Sequence, residues 1–251
     1  MNIELAGKVV VMTGGGGGIG SAISRILAGA GASVVITHRG GAGEVDAEKT
    51  LQSLAGNGHM LFRAAVDSEE EQRRLAEHLE RQYGSVDILV NNAGMTRFVP
   101  ADDLLSLDDA TIDTIFRVNW RGAFASIRSL EPLLRKSGDG LVVNISSIAG
   151  TTGIGSNVAY CASKSAMNTM TISLARALAP VIRVISVAPA LVEGKYTDKL
   201  DPAWTEQQRQ LNPLKRLTTT EDVARAVLAC ATLLTYSTGC VIPVDGGRPL
   251  T

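Results

Sequence analysis

The chain of 251 residues has no surplus of either charge: 24 Lys+Arg stand against 25 Asp+Glu, a formal net charge of −1. Without a basic excess little can displace counterions from a phosphate backbone, so no nucleic-acid partner is expected. Apolar runs fall well short of the roughly 18 to 20 residues that span a bilayer, so no membrane insertion is expected either. Cysteine is scarce. Cys161, Cys230 and Cys240 cannot pair completely and match no metal-ligand spacing, and His38, His59 and His78 are too scattered to suggest a metal site. The start, Met1 to Lys8, lacks a basic region followed by a long apolar one, and the chain reads as cytoplasmic and reduced.

What is present is a packable composition, 45% hydrophobic and 20% charged, and a repeated alternation of strand-like and helix-like segments. Lys8 to Thr13 (KVVVMT) is β-branched, and Ile19, Ala22, Ile23, Ile26, Leu27 and Ala30 follow at helical spacing. Further strands are expected at residues 33–37, 59–66, 87–90, 140–146, 182–188 and 240–245. Helices are expected from near Val45, at 69–83, 108–118, 121–135, 159–178 and 220–232. The strands are continuous apolar runs rather than alternating ones, as parallel strands covered on both faces should be. No composition break marks a linker. One doubly wound α/β domain over 1–251 is expected, a mostly parallel seven-stranded sheet with helices on both faces. Residues 195–217 are the least periodic stretch, polar with Pro202 and Pro213, and 190–217 is the expected substrate-loop region.

Five glycines, Gly14 to Gly18, fill the turn between the first strand and its helix. Glycines there let a pyrophosphate approach the backbone, and the helix N-terminus offers unpaired amides and a positive dipole end. A purely structural turn is the alternative reading. Thr13-Gly14-Gly15-Gly16-Gly17-Gly18-Ile19-Gly20 resembles the TGxxxGIG fingerprint of the short-chain dehydrogenase/reductase family. That resemblance implies a Rossmann-type sheet and an NAD or NADP cofactor, with Gly14, Gly18 and Gly20 as cofactor glycines and Ile19 against the dinucleotide. No Walker Lys-Ser/Thr pair follows.

An NAD-preferring site commonly places an Asp at the end of the second strand; here His38 and Arg39 stand there. Loss of the carboxylate and gain of a guanidinium favour NADP(H) over NAD(H), which stays possible, and Arg39 as a solvated surface arginine is the alternative. Asn91-Asn92-Ala93-Gly94 resembles the family's NNAG segment, which makes Asn91 and Ala93 cofactor candidates. The position 26 residues before Asn91 is Ala65, where relatives carry an adenine-contacting Asp. Val66 backbone groups are the remaining candidates there, and Asp67 a compensating one.

Tyr160 and Lys164 lie four apart in a helical stretch, so they share a face, and an ammonium there favours the phenolate. Alone, that pair is often structural. Ser147 lies 13 residues earlier, after the strand ending at Ser146, where doubly wound sheets bind ligands. The family resemblance makes Ser147 the catalytic serine, with Ser146 competing, and makes Asn119 the helix-distorting residue that holds a water near the lysine. It also assigns Tyr160 as proton donor, with Lys164 lowering its pKa and holding the nicotinamide ribose. Pro189 matches a cofactor-contacting proline, but Ala190 replaces the usual glycine and Gly194 a threonine that bonds the carboxamide.

Asn212-Pro213-Leu214-Lys215-Arg216-Leu217, Glu221-Asp222-Val223-Ala224 and Val244-Asp245-Gly246-Gly247 resemble segments of 3-oxoacyl-acyl-carrier-protein reductases. The expected function is therefore NADP(H)-dependent hydride transfer to or from a carbonyl or secondary alcohol, with a 3-oxoacyl thioester favoured. A dehydrogenase of a small, sugar or cyclic alcohol is the alternative, and a dinucleotide-binding regulator the non-enzyme one. The resemblance implies a homotetramer, or else a dimer, paired through apolar faces at Phe124, Ile127 and Leu130 and at Met167, Met170 and Leu174. Trp120 is a candidate for the interface and Trp204 for a substrate lid; either could be plain packing. Cys161, turned about 100° from Tyr160 on its helix, reads as packing.

Overall fold

A computed structural model describes residues 4–251; the first three residues of the Met1–Lys8 start lie outside the described residues. The β-branched runs form seven strands: β1 (Val9–Thr13), β2 (Ser33–His38), β3 (Met60–Arg63), β4 (Ile88–Asn91), β5 (Gly140–Ile145), β6 (Ile182–Pro189) and β7 (Val241–Val244). They make one sheet in the order β3-β2-β1-β4-β5-β6-β7, with every neighbouring pair parallel. Parallel neighbours need crossovers, and helices supply them. These are α1 (Gly18–Gly29), α2 (Ala42–Gln52), α3 (Glu69–Tyr83), α4 (Asp109–Phe116), α5 (Ala123–Lys136), α6 (Ala149–Thr152), α7 (Val158–Leu178), α8 (Pro202–Leu211) and α9 (Thr220–Thr232).

Successive strand residues point to opposite faces, so the sheet divides two cores. Val10 and Met12 of β1 pack with Ile23 and Leu27 of α1 and with Val223 and Val227 of α9. Val9 and Val11 face the other way, into Leu75 and Leu79 of α3, Leu130 and Leu134 of α5, and Met167 of α7. This is the expected doubly wound Rossmann-type architecture. From β1 the order runs to β2 and β3 on one side, and from β4 to β7 on the other. That reversal opens a crevice at the carboxyl ends of β1 and β4.

Three local differences from the sequence expectation have identifiable causes. Strand β3 stops at Arg63 rather than Val66, because α3 side chains take the next backbone groups: the Ala65 amide donates to Glu71 Oε2 at 2.7 Å, and Gln72 Nε2 donates to the Ala65 carbonyl at 3.1 Å. The gap expected between the helices at 108–118 and 121–135 is instead a π-helical stretch, Arg117–Gly122, joining α4 to α5. In the aperiodic 195–217 stretch, Asp201 caps α8 by accepting from the Trp204 amide at 2.8 Å, and Pro202 opens the helix where its missing N–H costs nothing.

The start of α9 is fixed by a reciprocal cap. Thr219 Oγ1 accepts from the Asp222 amide at 3.1 Å, and Asp222 accepts from the Thr219 amide at 3.0 Å. Arg216 adds a charged bond at 3.1 Å to Asp222, and with the Thr219 bonds it holds the Asp222 carboxyl well below the usual range. A depressed carboxylate stabilises the fold above its unfolded pKa and loses that contribution on acidification. Asp222→Ala should cost about 1 to 2 kcal/mol, or roughly 2 to 8 °C in Tm, and should flatten the acid limb of stability. Thermal unfolding at neutral and acidic pH checks this; an unchanged Tm at neutral pH would show that the cap contributes nothing.

Candidate active site

The crevice is a cavity of about 1480 Å³ that runs from His38 and Arg39, past Gly14 to Ile19, to Ser147, Tyr160 and Lys164, and on to Tyr196 and Trp204. Its floor begins at the glycine turn. Gly14 adopts φ +65, and a Cβ on it would lie 3.0 Å from Ala93 Cα; a Cβ on Gly16 would lie 2.5 Å from the Ala47 amide nitrogen. Gly17 opens α1 without a side-chain cap, so the first-turn amides are left for a ligand. Free amides, a positive helix end and a backbone stripped of side chains suit the diphosphate of a dinucleotide. Gly20 plays a different part from the one expected. It is buried outside the cleft wall, and a Cβ there would lie 2.5 Å from the Gly14 carbonyl, so it lets α1 pack on its own entry turn.

Thr13 ties this turn to the end of β4. Its Oγ1 accepts from the Asn92 and Ala93 amides at 3.0 and 3.1 Å, while Asn92 Nδ2 donates to the Thr13 and Gly14 carbonyls at 3.0 Å each. Ala93 lines the cleft as expected. Asn91 does not: its side chain turns into the sheet and donates to Asn144 Oδ1 at 2.9 Å, because the alternation of the strand points it inward. Val66 and Pro189 line the cleft, as do Ala65 and Asp67. Asp67 is held by Arg117 Nε at 3.1 Å. At the end of β2, His38 is buried and its Nδ1 accepts from the Gly40 amide at 3.2 Å. Arg39 is exposed and has no ion-pair partner among the described residues.

The reactive groups converge from β5 and α7. Asn157 starts α7: its Oδ1 accepts from the Tyr160 amide at 2.7 Å, and its Nδ2 donates to the Arg97 carbonyl at 2.7 Å. One turn on, Lys164 Nζ donates to the Ile145 carbonyl at 2.7 Å and stands 5.7 Å from the centre of the Tyr160 ring. Ser147 follows β5; its Oγ accepts from the Ala149 amide at 3.1 Å and donates to the Pro189 carbonyl at 3.4 Å, and it lines the same cleft as Tyr160. Ser146 is buried and donates to the Lys164 carbonyl at 3.3 Å, which makes it structural. Asn119 sits in the π-helical stretch, outside the cleft wall. It accepts from the Met95 amide at 2.8 Å and donates to the Met95 carbonyl at 3.0 Å and to Ser163 Oγ at 3.2 Å.

Burial decides the protonation of this group. It pushes Tyr160 up to about 12, with Ser147 nearby pulling the other way, and lowers the Lys164 ammonium to about 8. Desolvation is the largest influence on both groups. A phenol held in this way keeps its proton at neutral pH and is built as a donor.

Sequence reasoning missed Asn157, Asn92 and Tyr196. An Asn directly before an apolar-periodic helix is an N-cap signal and could have been read; the other two depend on how separate loops meet. Among the described residues no group of three His, Cys, Asp or Glu is placed to hold a metal, and no helix is long and apolar enough to cross a membrane.

Residues 14–248 match a family model described as enoyl-(acyl carrier protein) reductase. A relative named as ketoacyl reductase 2 of the granaticin polyketide synthase of Streptomyces violaceoruber is 38% identical over 96% of each chain. The 3-oxoacyl-acyl-carrier-protein reductase of Thermotoga maritima is 34% identical over 98% of this chain and 99% of its own. Among solved structures, a gluconate 5-dehydrogenase of Burkholderia cenocepacia in complex with NADP and tartrate superposes with a TM-score of 0.90 at 26% identity, over 100% of this chain and 98% of its own. Fold, cleft and relatives agree: the chain belongs to the short-chain dehydrogenase/reductase family of oxidoreductase enzymes.

Proposed function

We propose that the protein is an NADPH-dependent reductase of 3-oxoacyl thioesters, with Ser147, Tyr160 and Lys164 as its catalytic residues and Asn119 positioning them. The observation that carries this reading is the convergence of Ser147, Tyr160 and Lys164 on one cleft beside the glycine turn. A nicotinamide dinucleotide, when bound, supplies the hydride. The first-turn amides from Gly18 and Ile19 would hold its diphosphate, and Arg39 the 2′-phosphate.

Ser147 and Tyr160 address the carbonyl oxygen together, and Tyr160 hands its proton to that oxygen as negative charge develops there. The phenolate left behind faces the Lys164 ammonium on the same helix face. Asn119 acts at one remove, by fixing the Met95 segment and Ser163 around this group. Tyr196, Leu200 and Trp204 from residues 190–217 complete the cleft wall with Phe98 and Ile154. So apolar a wall suits an acyl chain better than a sugar, and the relatives named as ketoacyl and 3-oxoacyl reductases support the same class. Initial rates with NADPH on a 3-oxoacyl thioester, the matching 2-enoyl thioester and a panel of sugar and cyclic ketones test the assignment. The 3-oxoacyl thioester should be fastest; a faster sugar or enoyl substrate would reject it.

Tyr160→Phe should bind NADPH almost normally and lose at least ~100-fold in turnover on the best substrate. With Tyr160 protonated throughout, the kcat/KM of reduction should fall as pH rises through about 8, where Lys164 loses its charge. Activity climbing between pH 8 and 9 would identify the phenolate as the working form instead.

Arg39→Ala should weaken NADPH by about 1 to 3 kcal/mol and leave NADH nearly unchanged, since an unpaired guanidinium has only the extra phosphate to lose. Fluorescence titration with both cofactors measures this, and equal losses would overturn the preference for NADP(H).

We also infer a homotetramer, through a different surface from the one the helical pattern indicates. Ile127, Leu130, Met167 and Met170 are all buried within the chain's own core, so they cannot pair subunits. What these helices leave at the surface is Val158 and Ile172, with Leu174 part-buried and Phe124 part-buried and stacked at 6.0 Å on Trp120. Light scattering at micromolar concentration should give four times the chain mass; a monomer would reject the assembly.

A further inference from the structure

After β6 the chain makes a pinned turn. Thr197 is buried, and its Oγ1 accepts from the Gly194 amide and donates to the Gly194 carbonyl, both at 2.9 Å. On the other side of the same turn, Lys195 Nζ bonds Asp46 Oδ2 of α2 at 2.9 Å. Between these two anchors stands Tyr196, 43% exposed, on the wall of the cleft that holds Ser147 and Tyr160. Its hydroxyl makes no hydrogen bond among the described residues.

Thr37, at the β2 end of the cleft, keeps its Oγ1 buried and without a hydrogen-bond partner, whereas other hydroxyls on the wall are committed to protein partners. Thr96 and Ser156 bond each other, and Thr152 donates to the Ile148 carbonyl at 3.0 Å and accepts from the Ile154 amide at 3.1 Å. Partial burial raises Tyr196 above the ordinary phenol value, so it stays a donor across the working pH range. Tyr196 and Tyr160 line the same cavity.

We propose that Tyr196 is a substrate-binding donor that holds a second carbonyl oxygen next to the one reduced, and so selects β-dicarbonyl substrates over simple ketones. The assignment rests on the carbonyl-reductase reading above and adds a specificity residue to it. In a 3-oxoacyl thioester that second oxygen is the thioester carbonyl, two carbons from the ketone. Ser147 and Tyr160 take the ketone oxygen, Tyr196 the thioester oxygen, and the chain beyond runs along the apolar wall. The substrate is thereby held at two points, which fixes the face it presents.

The test pairs Tyr196→Phe, which keeps the ring, with two substrates: an ethyl 3-oxoalkanoate and the ketone of equal length without the ester carbonyl. The variant should lose about 3- to 10-fold in kcat/KM on the 3-oxo ester, mainly through KM, and less than about twofold on the plain ketone. Equal loss on both, or loss on neither, would overturn the proposal. Calorimetric titration of the 3-oxo ester into Tyr160→Phe and into the Tyr160→Phe, Tyr196→Phe double variant, each with NADPH, separates this from the catalytic reading. If the double variant binds several-fold more weakly, Tyr196 holds the ester even should Tyr160 prove not to be the acid. If the two bind equally, Tyr196 has no such role.

Discussion

Because every strand runs the same way, the carboxyl ends of all seven lie along one edge of the sheet. The site is assembled from residues at or just past those ends: Gly14 after β1, Ala93 after β4, Ser147 after β5 and Pro189 at the end of β6. The reversal of order between β1 and β4 then leaves a gap there that no crossover covers. Each group's position therefore depends on the register of a neighbouring strand. Thr13 and Asn92 lock the β1 and β4 ends together directly, so the glycine turn and the NNAG segment are one rigid unit and not two loops.

The electrostatics stem from how deep that edge is. Lys164 is buried with a backbone carbonyl, and no carboxylate, as its partner, so its charge is costly and its proton is held loosely for a lysine. Tyr160 beside it is held in its neutral form by the same desolvation. Burying an acid and a cation together pushes both toward neutrality, and a proton given up by Tyr160 leaves a phenolate facing the Lys164 ammonium.

The fold was legible because its signals are local and repeated. KVVVMT, SVVIT and DILV are continuous apolar runs, and only strands covered on both faces need them. Tyr160 and Lys164 were legible for a similar reason: helical spacing alone puts them on one face. What could not be read was set by distant partners. Glu71 and Gln72 end β3 from another element, Asn91 points inward because of the phase of its strand, and the apolar faces of α5 and α7 are consumed by the chain's own core.

The glycine turn also shows where the chain gives up more freedom than geometry requires. At Gly14, Gly16 and Gly20 an added Cβ would meet backbone, but at Gly17 it would meet nothing within 4 Å, and the backbone there is ordinary extended conformation at φ −103. Each glycine widens the set of conformations open to the unfolded chain, so ordering one costs more entropy than ordering another residue. Position 17 thus carries an entropic penalty that no contact within the chain requires. What it leaves in exchange is a bare, uncapped helix end, wide enough for a bulky anion to sit directly on the backbone.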